Sequence, residues 1–269
     1  MKRFTPYEQW HSASLENGAF SHLNTLFSLN GLSDWPQCAW FSSFLDAKNA
    51  NQQTIRFVDD ACFSEEERYY EQIIFDTGKV PTRQQNWHDL FGGLIWCLFP
   101  KTKALINQRH VEEITLHGTK VRSKHRNALT LFDECGVVLA VSDDVWPALL
   151  KNHQWQQAFI EQRALWGKTI APFMFGHANY EMLTKPYIGL TGKALFVKVP
   201  SDIFCKDLAQ QYQYIDQTLY EMISVDNCLR DNSQLSPLPL LGVPGWYDNN
   251  NPEFYSNTDY FRPKRRTRT

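Results

Sequence analysis

The chain has 269 residues, a net charge of −2 and 43% hydrophobic residues. These values exclude a disordered or fibrous protein, and so small a net charge argues against a general surface for binding nucleic acid. No apolar run follows the basic residues of the N-terminus "MKRFTPYEQW", and the longest apolar stretch, residues 90–99, is far shorter than the ~20 residues of a membrane helix. The sequence therefore predicts a soluble protein without a secretory signal or a membrane span.

The six cysteines are scattered singly along the chain, without a CxxC pair or a spacing typical of metal ligands. Such a distribution predicts reduced thiols rather than a disulfide framework. Together with the absence of an export signal, it indicates a cytoplasmic protein.

The first clear elements are a helix and a short strand. Residues 18–31 place apolar side chains at helical spacing and end at a glycine, and residues 52–61 alternate like a strand before an acidic turn.

The stretch "WHDLFGGLIWCLF", residues 87–99, predicts a buried central helix because its apolar residues occupy nearly every face. Asn86 is a favoured N-cap residue, and Asp89 stands where the acid of a capping box would. Gly92 and Gly93 weaken the helix but allow a close approach by another segment. Pro100 ends this helix, and an amphipathic helix follows.

The stretch "ALTLFDECGVVLAV", residues 128–141, predicts a β-hairpin, because two apolar runs flank an acidic turn. In this interpretation Gly136 supplies the positive φ of the turn. Residues 170–183 then pass from an apolar stretch into a helix that carries His177 and Glu181, and residues 193–199 form a strand.

From Pro237 the chain is rich in proline, asparagine and aromatic residues, which predicts an ordered loop segment over residues 237–263. Residues 264–269 form a basic tail. The elements together predict an α+β fold: a mainly helical single domain over residues 1–263 with a small antiparallel sheet or hairpin.

Several phrases resemble a bacterial family, the domain of unknown function 3025. They are "VPTRQQNWHDLFGGLIWCLFPKTKALIN", "RNALTLFDECG", "GHANYEMLTKPYIGLTGKAL" and "LPLLGVPGW…NPEFYSNTDYFRP". The resemblance extends roughly from Thr5 to Pro263 and implies no established activity. It implies that six residues occupy the family's polar motif positions: His88, Asp89, Asp133, Glu134, His177 and Glu181.

His88 and Asp89 have two interpretations at the start of a buried helix. They are either a metal-ligand or acid–base pair at the positive end of the helix dipole, or Asp89 closes a capping box while His88 faces solvent.

Asp133 and Glu134 also have two interpretations. Neighbouring carboxylates suit a divalent cation or general acid–base catalysis, but acidic residues before a glycine are also ordinary turn residues. Since neighbouring residues of a strand point to opposite faces, we expect at most one of them in a shared site.

His177 and Glu181 are four residues apart on a predicted helix and so share one face. The pair either ligates a metal, with Glu181 as a second ligand or as the group that orients the imidazole, or forms a salt pair.

The first functional hypothesis is a metal-assisted hydrolase or phosphoryl-handling enzyme. His88 and His177 would bind a divalent cation with one or two of the four acids, Asp133 first among Asp89, Asp133, Glu134 and Glu181. A second carboxylate would act as general base, and Arg126 would hold an anionic group of a small-molecule substrate.

Two alternatives remain open. The C-terminal segment would present a set of aromatic side chains to a protein partner, or would simply dock on the core; the set is Trp246, Tyr247, Phe254, Tyr255 and Tyr260. The tail from Lys264 to Thr269 would bind RNA, the only route by which nucleic acid is expected to bind.

Overall fold

A computed structural model describes residues 4–247 and 251–264. The described chain is mainly helical, and short 3-10 turns join many of the elements. In chain order the helices are α1 (Ser21–Phe27), α2 (Cys38–Phe41), α3 (Tyr70–Thr77), α4 (Trp87–Leu98), α5 (Pro100–His117), α6 (Lys124–Cys135), α7 (Val145–Lys151), α8 (His177–Leu183), α9 (Leu208–Ser224) and α10 (Pro252–Tyr255). The strands are β1 (Arg56–Asp59), β2 (Lys79–Thr82), β3 (Gly136–Val141), β4 (Ile170–Met174), β5 (Thr191–Lys198) and β6 (Ser236–Pro239).

Four strands form a mixed sheet in the order β4-β3-β5-β6, and β1 pairs with β2 in a separate parallel pair. Strand β3 is antiparallel to β4 and parallel to β5. All six residues of β3 are buried, as expected for a β-branched strand enclosed on both faces. The α+β class is confirmed, with a mixed sheet where the sequence predicted an antiparallel one.

Helix α4 lies in the core, as its apolar pattern predicts. It begins after Asn86, whose side chain accepts a hydrogen bond from the backbone N–H of Asp89 at 3.1 Å. A Cβ on Gly93 would lie 2.6 Å from the ring of Phe41, so this glycine permits a close side-chain contact. A Cβ on Gly92 would meet nothing within 4 Å.

The predicted hairpin at residues 128–141 is wrong. Residues up to Cys135 continue α6, which begins after Ser123, and the hydroxyl of Ser123 accepts a hydrogen bond from the Arg126 N–H at 3.0 Å. Gly136 has an extended φ of −67° and starts β3 instead of turning the chain. The buried residues Leu129 and Phe132 are three apart, a spacing that places them on one helical face.

The C-terminal segment docks on the body of the protein. Trp246, Tyr255 and Tyr260 are all buried, and the Tyr260 hydroxyl donates to the carbonyl of Leu190 at 2.6 Å. These rings therefore fill the core instead of forming an exposed surface for a partner. Residues 265–269 of the basic tail lie outside the described residues.

No helix within the described part of the chain is both long enough and apolar enough to cross a membrane.

Candidate functional site

The end of α6 and the start of α8 meet because they flank neighbouring antiparallel strands. Helix α6 leads directly into β3, and β4 leads through Phe175 and Gly176 into α8. The carbonyl of Gly136 accepts hydrogen bonds from the N–H groups of Phe175 at 3.0 Å and Gly176 at 2.7 Å. A Cβ on Gly176 would lie 2.6 Å from the backbone of Cys135, so the approach requires glycine.

Two histidines meet where the start of α4 packs beside α8. Nε2 of His88 and Nε2 of His177 are 2.9 Å apart. The other ring nitrogen of His88, Nδ1, lies 3.1 Å from Oε2 of Glu181, one helical turn beyond His177. The carboxylate thus fixes the orientation of the His88 ring and aims its Nε2 at His177.

Glu134 and Asp133 approach the same pair from the last turn of α6. Oε2 of Glu134 lies 3.6 Å from Nε2 of His177, and the donor atoms of His88, Glu134 and His177 all lie within 4.8 Å of one another. Oδ2 of Asp133 lies 4.0 Å from the opposite nitrogen of His177, Nδ1. The expectation that at most one of the two acids would enter a shared site was wrong, because it assumed a strand.

Asp133 is held in place by a buried lysine. Its Oδ1 accepts a hydrogen bond from Nζ of Lys103 at 2.5 Å, and the two side chains are only 16% and 10% exposed. Burial opposes ionisation of Asp133, but the charge and hydrogen bond of Lys103 and the nearby His177 together outweigh it, so the pKa of Asp133 is lowered.

Burial and neighbouring charges shift the pKa values of the two imidazoles in opposite directions. Burial lowers the pKa of His177 to about 4. Burial also opposes the charged form of His88, but the hydrogen bond to Glu181 and the charge of Glu134 outweigh it, so the pKa of His88 is raised. Burial raises the pKa of Glu134. When His88 is protonated, its Nε2–H donates a hydrogen bond to Nε2 of the neutral His177.

Asp89 has a different role from either interpretation based on the sequence. Its carboxylate accepts hydrogen bonds from the Arg83 backbone N–H at 2.7 Å and from Nε and Nη2 of the same residue at 3.0 and 2.7 Å. This bidentate ion pair connects the segment before α4 to the first turn of the helix. Asp89 therefore positions its neighbour His88 through the backbone.

The histidine pair opens into a cavity of about 520 Å³, a size typical of small-molecule sites. Sequence reasoning missed Lys103 and His110, which line its wall from α5. With Asn107 they form a buried polar stripe at positions i, i+4 and i+7 of one helix. Three polar residues at that spacing, between apolar neighbours, were the signal that could have identified them.

Arg126 also lines the cavity, from the first turn of α6, and is only 2% exposed. It lies eight residues before Glu134, on the same side of the helix. The sequence-predicted residues thus come together around one cavity, except Glu181, which contacts His88 from behind. Asp89 lines the cavity too, with its carboxylate paired to Arg83.

A family model described as "Protein of unknown function (DUF3025)" matches residues 55–265, well over half of the chain. Comparison with curated proteins and with solved structures gave no match. The matched region contains the histidine pair, both acids of α6 and the whole wall of the cavity.

Proposed function

The chain belongs to the DUF3025 family of proteins of unknown function, and for this member we propose a divalent-metal-dependent hydrolase. The observation that carries the proposal is the convergence of two Nε2 atoms and a carboxylate oxygen within 4.8 Å, at the wall of a cavity of about 520 Å³. The three donors are His88, His177 and Glu134.

The donor set fits a metal ion better than it fits a purely structural hydrogen bond. Nδ1 of His88 is hydrogen-bonded to Glu181 at 3.1 Å, whereas Nδ1 of His177 faces Asp133 at 4.0 Å without a hydrogen bond. Metal-binding histidines are commonly oriented in this way by a second carboxylate. Ligands at ~2.1 Å from a tetrahedral zinc ion lie ~3.4 Å apart, so the two nitrogens need to separate only slightly from 2.9 Å.

We assign Glu134 as the third ligand in place of Asp133. The oxygen of Glu134 lies on the Nε2 side of His177, whereas Asp133 faces Nδ1 and is already paired with Lys103. Glu181 is then the positioning residue for His88, and Asp133 places a negative charge 4.0 Å from Nδ1 of His177. Two imidazoles and one carboxylate leave further positions open for water and substrate, the pattern of catalytic rather than structural sites.

A zinc ion bound there would lower the pKa of a coordinated water to ~7 and so supply a nucleophile at neutral pH. The residues of the chain bind the ion, aim the imidazoles and accept the proton. Glu134 is the carboxylate nearest Nε2 of His177, so we assign proton acceptance to its second oxygen, Oε1.

The test combines metal analysis with an activity screen. Untagged protein is analysed by plasma mass spectrometry, then stripped with chelator and assayed on chromogenic phosphate esters, carboxylic esters and amides with added zinc, manganese or magnesium. We expect one metal ion per chain and metal-dependent hydrolysis, both lost in His177→Ala.

The matched control is His117→Ala. His117 also faces a glutamate, Glu113 at 3.8 Å, but its side chain is 48% exposed and lies outside the cavity. This variant should keep both metal and activity. Hydrolysis that is equally fast in stripped protein would contradict the proposal. Oxygen-dependent turnover with bound iron(II) would contradict the hydrolase assignment but not the metal site, because iron oxygenases use the same set of two histidines and one carboxylate.

A further inference from the structure

Helix α6 lines the cavity with a polar stripe that is cationic near the start of the helix and acidic at its end. Arg126, Thr130, Asp133 and Glu134 all contribute to the wall, at spacings of four, three and one. Residues seven apart lie on nearly the same face of an α-helix, and eight residues rise ~12 Å along its axis. The stripe therefore connects the proposed metal site to a cationic end about two helical turns away.

The guanidinium of Arg126 is buried without a carboxylate partner. Among the residues that the structure describes, no Asp or Glu oxygen lies within 4.0 Å of it, since Arg126 forms none of the ion pairs. Its Nη1 donates to the carbonyls of Gly118 at 3.5 Å and Thr119 at 3.1 Å, and the ring of Tyr69 lies 5.1 Å from its central carbon.

Arginine has five N–H donors, and a buried charge without a partner is costly. Nε and Nη2 of Arg126 donate to no residue within the described ranges, although the side chain is only 2% exposed. Because the residue lines the cavity, these donors are free for a molecule inside it. A planar pair of N–H groups suits the two oxygens of a phosphate or carboxylate.

Two other cations on the cavity wall are already paired. Lys103 is paired with Asp133, and Arg83 is paired with Asp89. Arg122, four residues before Arg126, adds a second cation on the same wall and forms no ion pair within the described chain. Asp60 and Glu71 also line the cavity, but of its lysine and arginine side chains only Arg126 and Arg122 are without an ion pair in the described chain.

We propose that Arg126, assisted by Arg122, binds an oxyanion group of the substrate while the scissile bond lies at His88, His177 and Glu134. The assignment of this group to the substrate of a hydrolase rests on the proposed function; the anion site itself does not. Tyr69, Tyr70 and Trp96 also line the cavity. The substrate class is thus an elongated molecule with an anion at one end and a hydrolysable bond at the other.

The test is calorimetric titration of the full-length, metal-stripped protein with inorganic phosphate and, separately, with acetate, at constant ionic strength. One of the two anions should bind saturably with one equivalent per chain, and the preferred anion identifies the substrate's group as a phosphate or a carboxylate. Arg126→Lys keeps the charge but loses the planar fork, and we expect it to weaken binding at least tenfold. Arg122→Gln should weaken binding severalfold.

Two controls separate this proposal from the metal site. His88→Ala should bind the anion as the wild type does, so a failed metal site leaves the anion site testable. Arg68→Gln removes an arginine that is paired with Glu66 and Asp76 and does not line the cavity, and it should have no effect. The anion site is overturned if neither anion saturates the wild type, or if Arg126→Lys binds as well as wild type.

If Arg126→Lys loses its cooperative unfolding transition, Arg122→Gln decides the question, because the exposed Arg122 side chain makes no hydrogen bond within the described chain. Undiminished binding in that variant would then overturn the proposal.

Discussion

Replacing Asp133 with asparagine is expected to reduce the free energy of unfolding by ~2–3 kcal/mol. Its carboxylate lies 2.5 Å from Nζ of Lys103, and the two side chains are only 16% and 10% exposed. Removing one partner of a fully buried ion pair costs ~3–5 kcal/mol, because the other charge stays buried alone. The pair borders a cavity that water can enter, which places the expected cost at or below the lower end of that range.

The chain contains a matched control for this prediction. Lys198 and Asp144 are also 2.5 Å apart, but their side chains are 55% and 89% exposed. Solvent screens such a pair, so Asp144→Asn should cost ~0.5 kcal/mol or less. Urea unfolding of both variants at neutral pH, with chelator present to remove any metal contribution, measures the difference.

The dependence on pH provides a second check. The pKa of Asp133 is lowered in the folded state, because the charge and hydrogen bond of Lys103 and the nearby His177 together outweigh the effect of burial. Its stabilisation is therefore fully present above the unfolded pKa of ~3.9 and is lost as the pH falls through the folded pKa. The difference in free energy of unfolding between wild type and Asp133→Asn should decrease below about pH 4. Equal costs for Asp133→Asn and Asp144→Asn would refute the reasoning.

Three further predictions concern the helix and the site. Gly92→Ala should stabilise the protein by up to ~1 kcal/mol through helix propensity. Gly93→Ala should destabilise it by ~1 kcal/mol or more, because its Cβ would lie 2.6 Å from the Phe41 ring. Urea unfolding that shifts the stability of both variants in the same direction would contradict this prediction. Glu181→Gln should weaken zinc binding ~10–100-fold without unfolding the protein, since it perturbs the carboxylate that orients His88; unchanged affinity by competition with a chelating dye would argue against that role. Zinc affinity should also fall with decreasing pH, by up to ~10-fold per pH unit below the raised pKa of His88, because His88 must lose a proton before the metal binds. A zinc affinity that stays constant between pH 6 and 8 would exclude this competition between proton and metal.

Local patterns predicted the elements that carry the histidines. Helix α4 could be read from the sequence because its apolar residues cover nearly every face and Asn86 is a favourable cap, which is how the helix begins in the structure. The helix that starts at His177 was predicted in the same way. Periodicity and capping are local properties, and they were sufficient for both.

The acids were placed on the wrong element because the same residues fit two patterns. An apolar run, two acids and a glycine are typical of a hairpin, yet Leu129 and Phe132 also have the spacing of a helical face. Short apolar runs do not distinguish a buried strand from a buried helix. Packing of α6 against the sheet decides the outcome, and that packing involves residues far apart in the sequence.

The geometry of the site depends on contacts between distant segments. His88 meets Glu181 across 93 residues, and the partner of Asp133 on α5 lies 30 residues before it. These contacts require the antiparallel pairing of β3 with β4 and the packing of α4 on α8. No periodicity in the sequence encodes the strand pairing or the helix packing. For this reason the sequence did not single out Glu134 as the carboxylate near the Nε2 atoms of His88 and His177.

The most direct test of the proposed metal centre is a crystal of the full chain grown with zinc, with diffraction measured on both sides of the zinc absorption edge. We predict one anomalous peak ~2.0–2.1 Å from Nε2 of both His88 and His177, with an oxygen of Glu134 as the third protein ligand. The two nitrogens should then have separated from their 2.9 Å contact to ~3.4 Å. An anomalous map without a peak between these rings, while the 2.9 Å contact persists, would contradict the metal site and the hydrolytic function built on it.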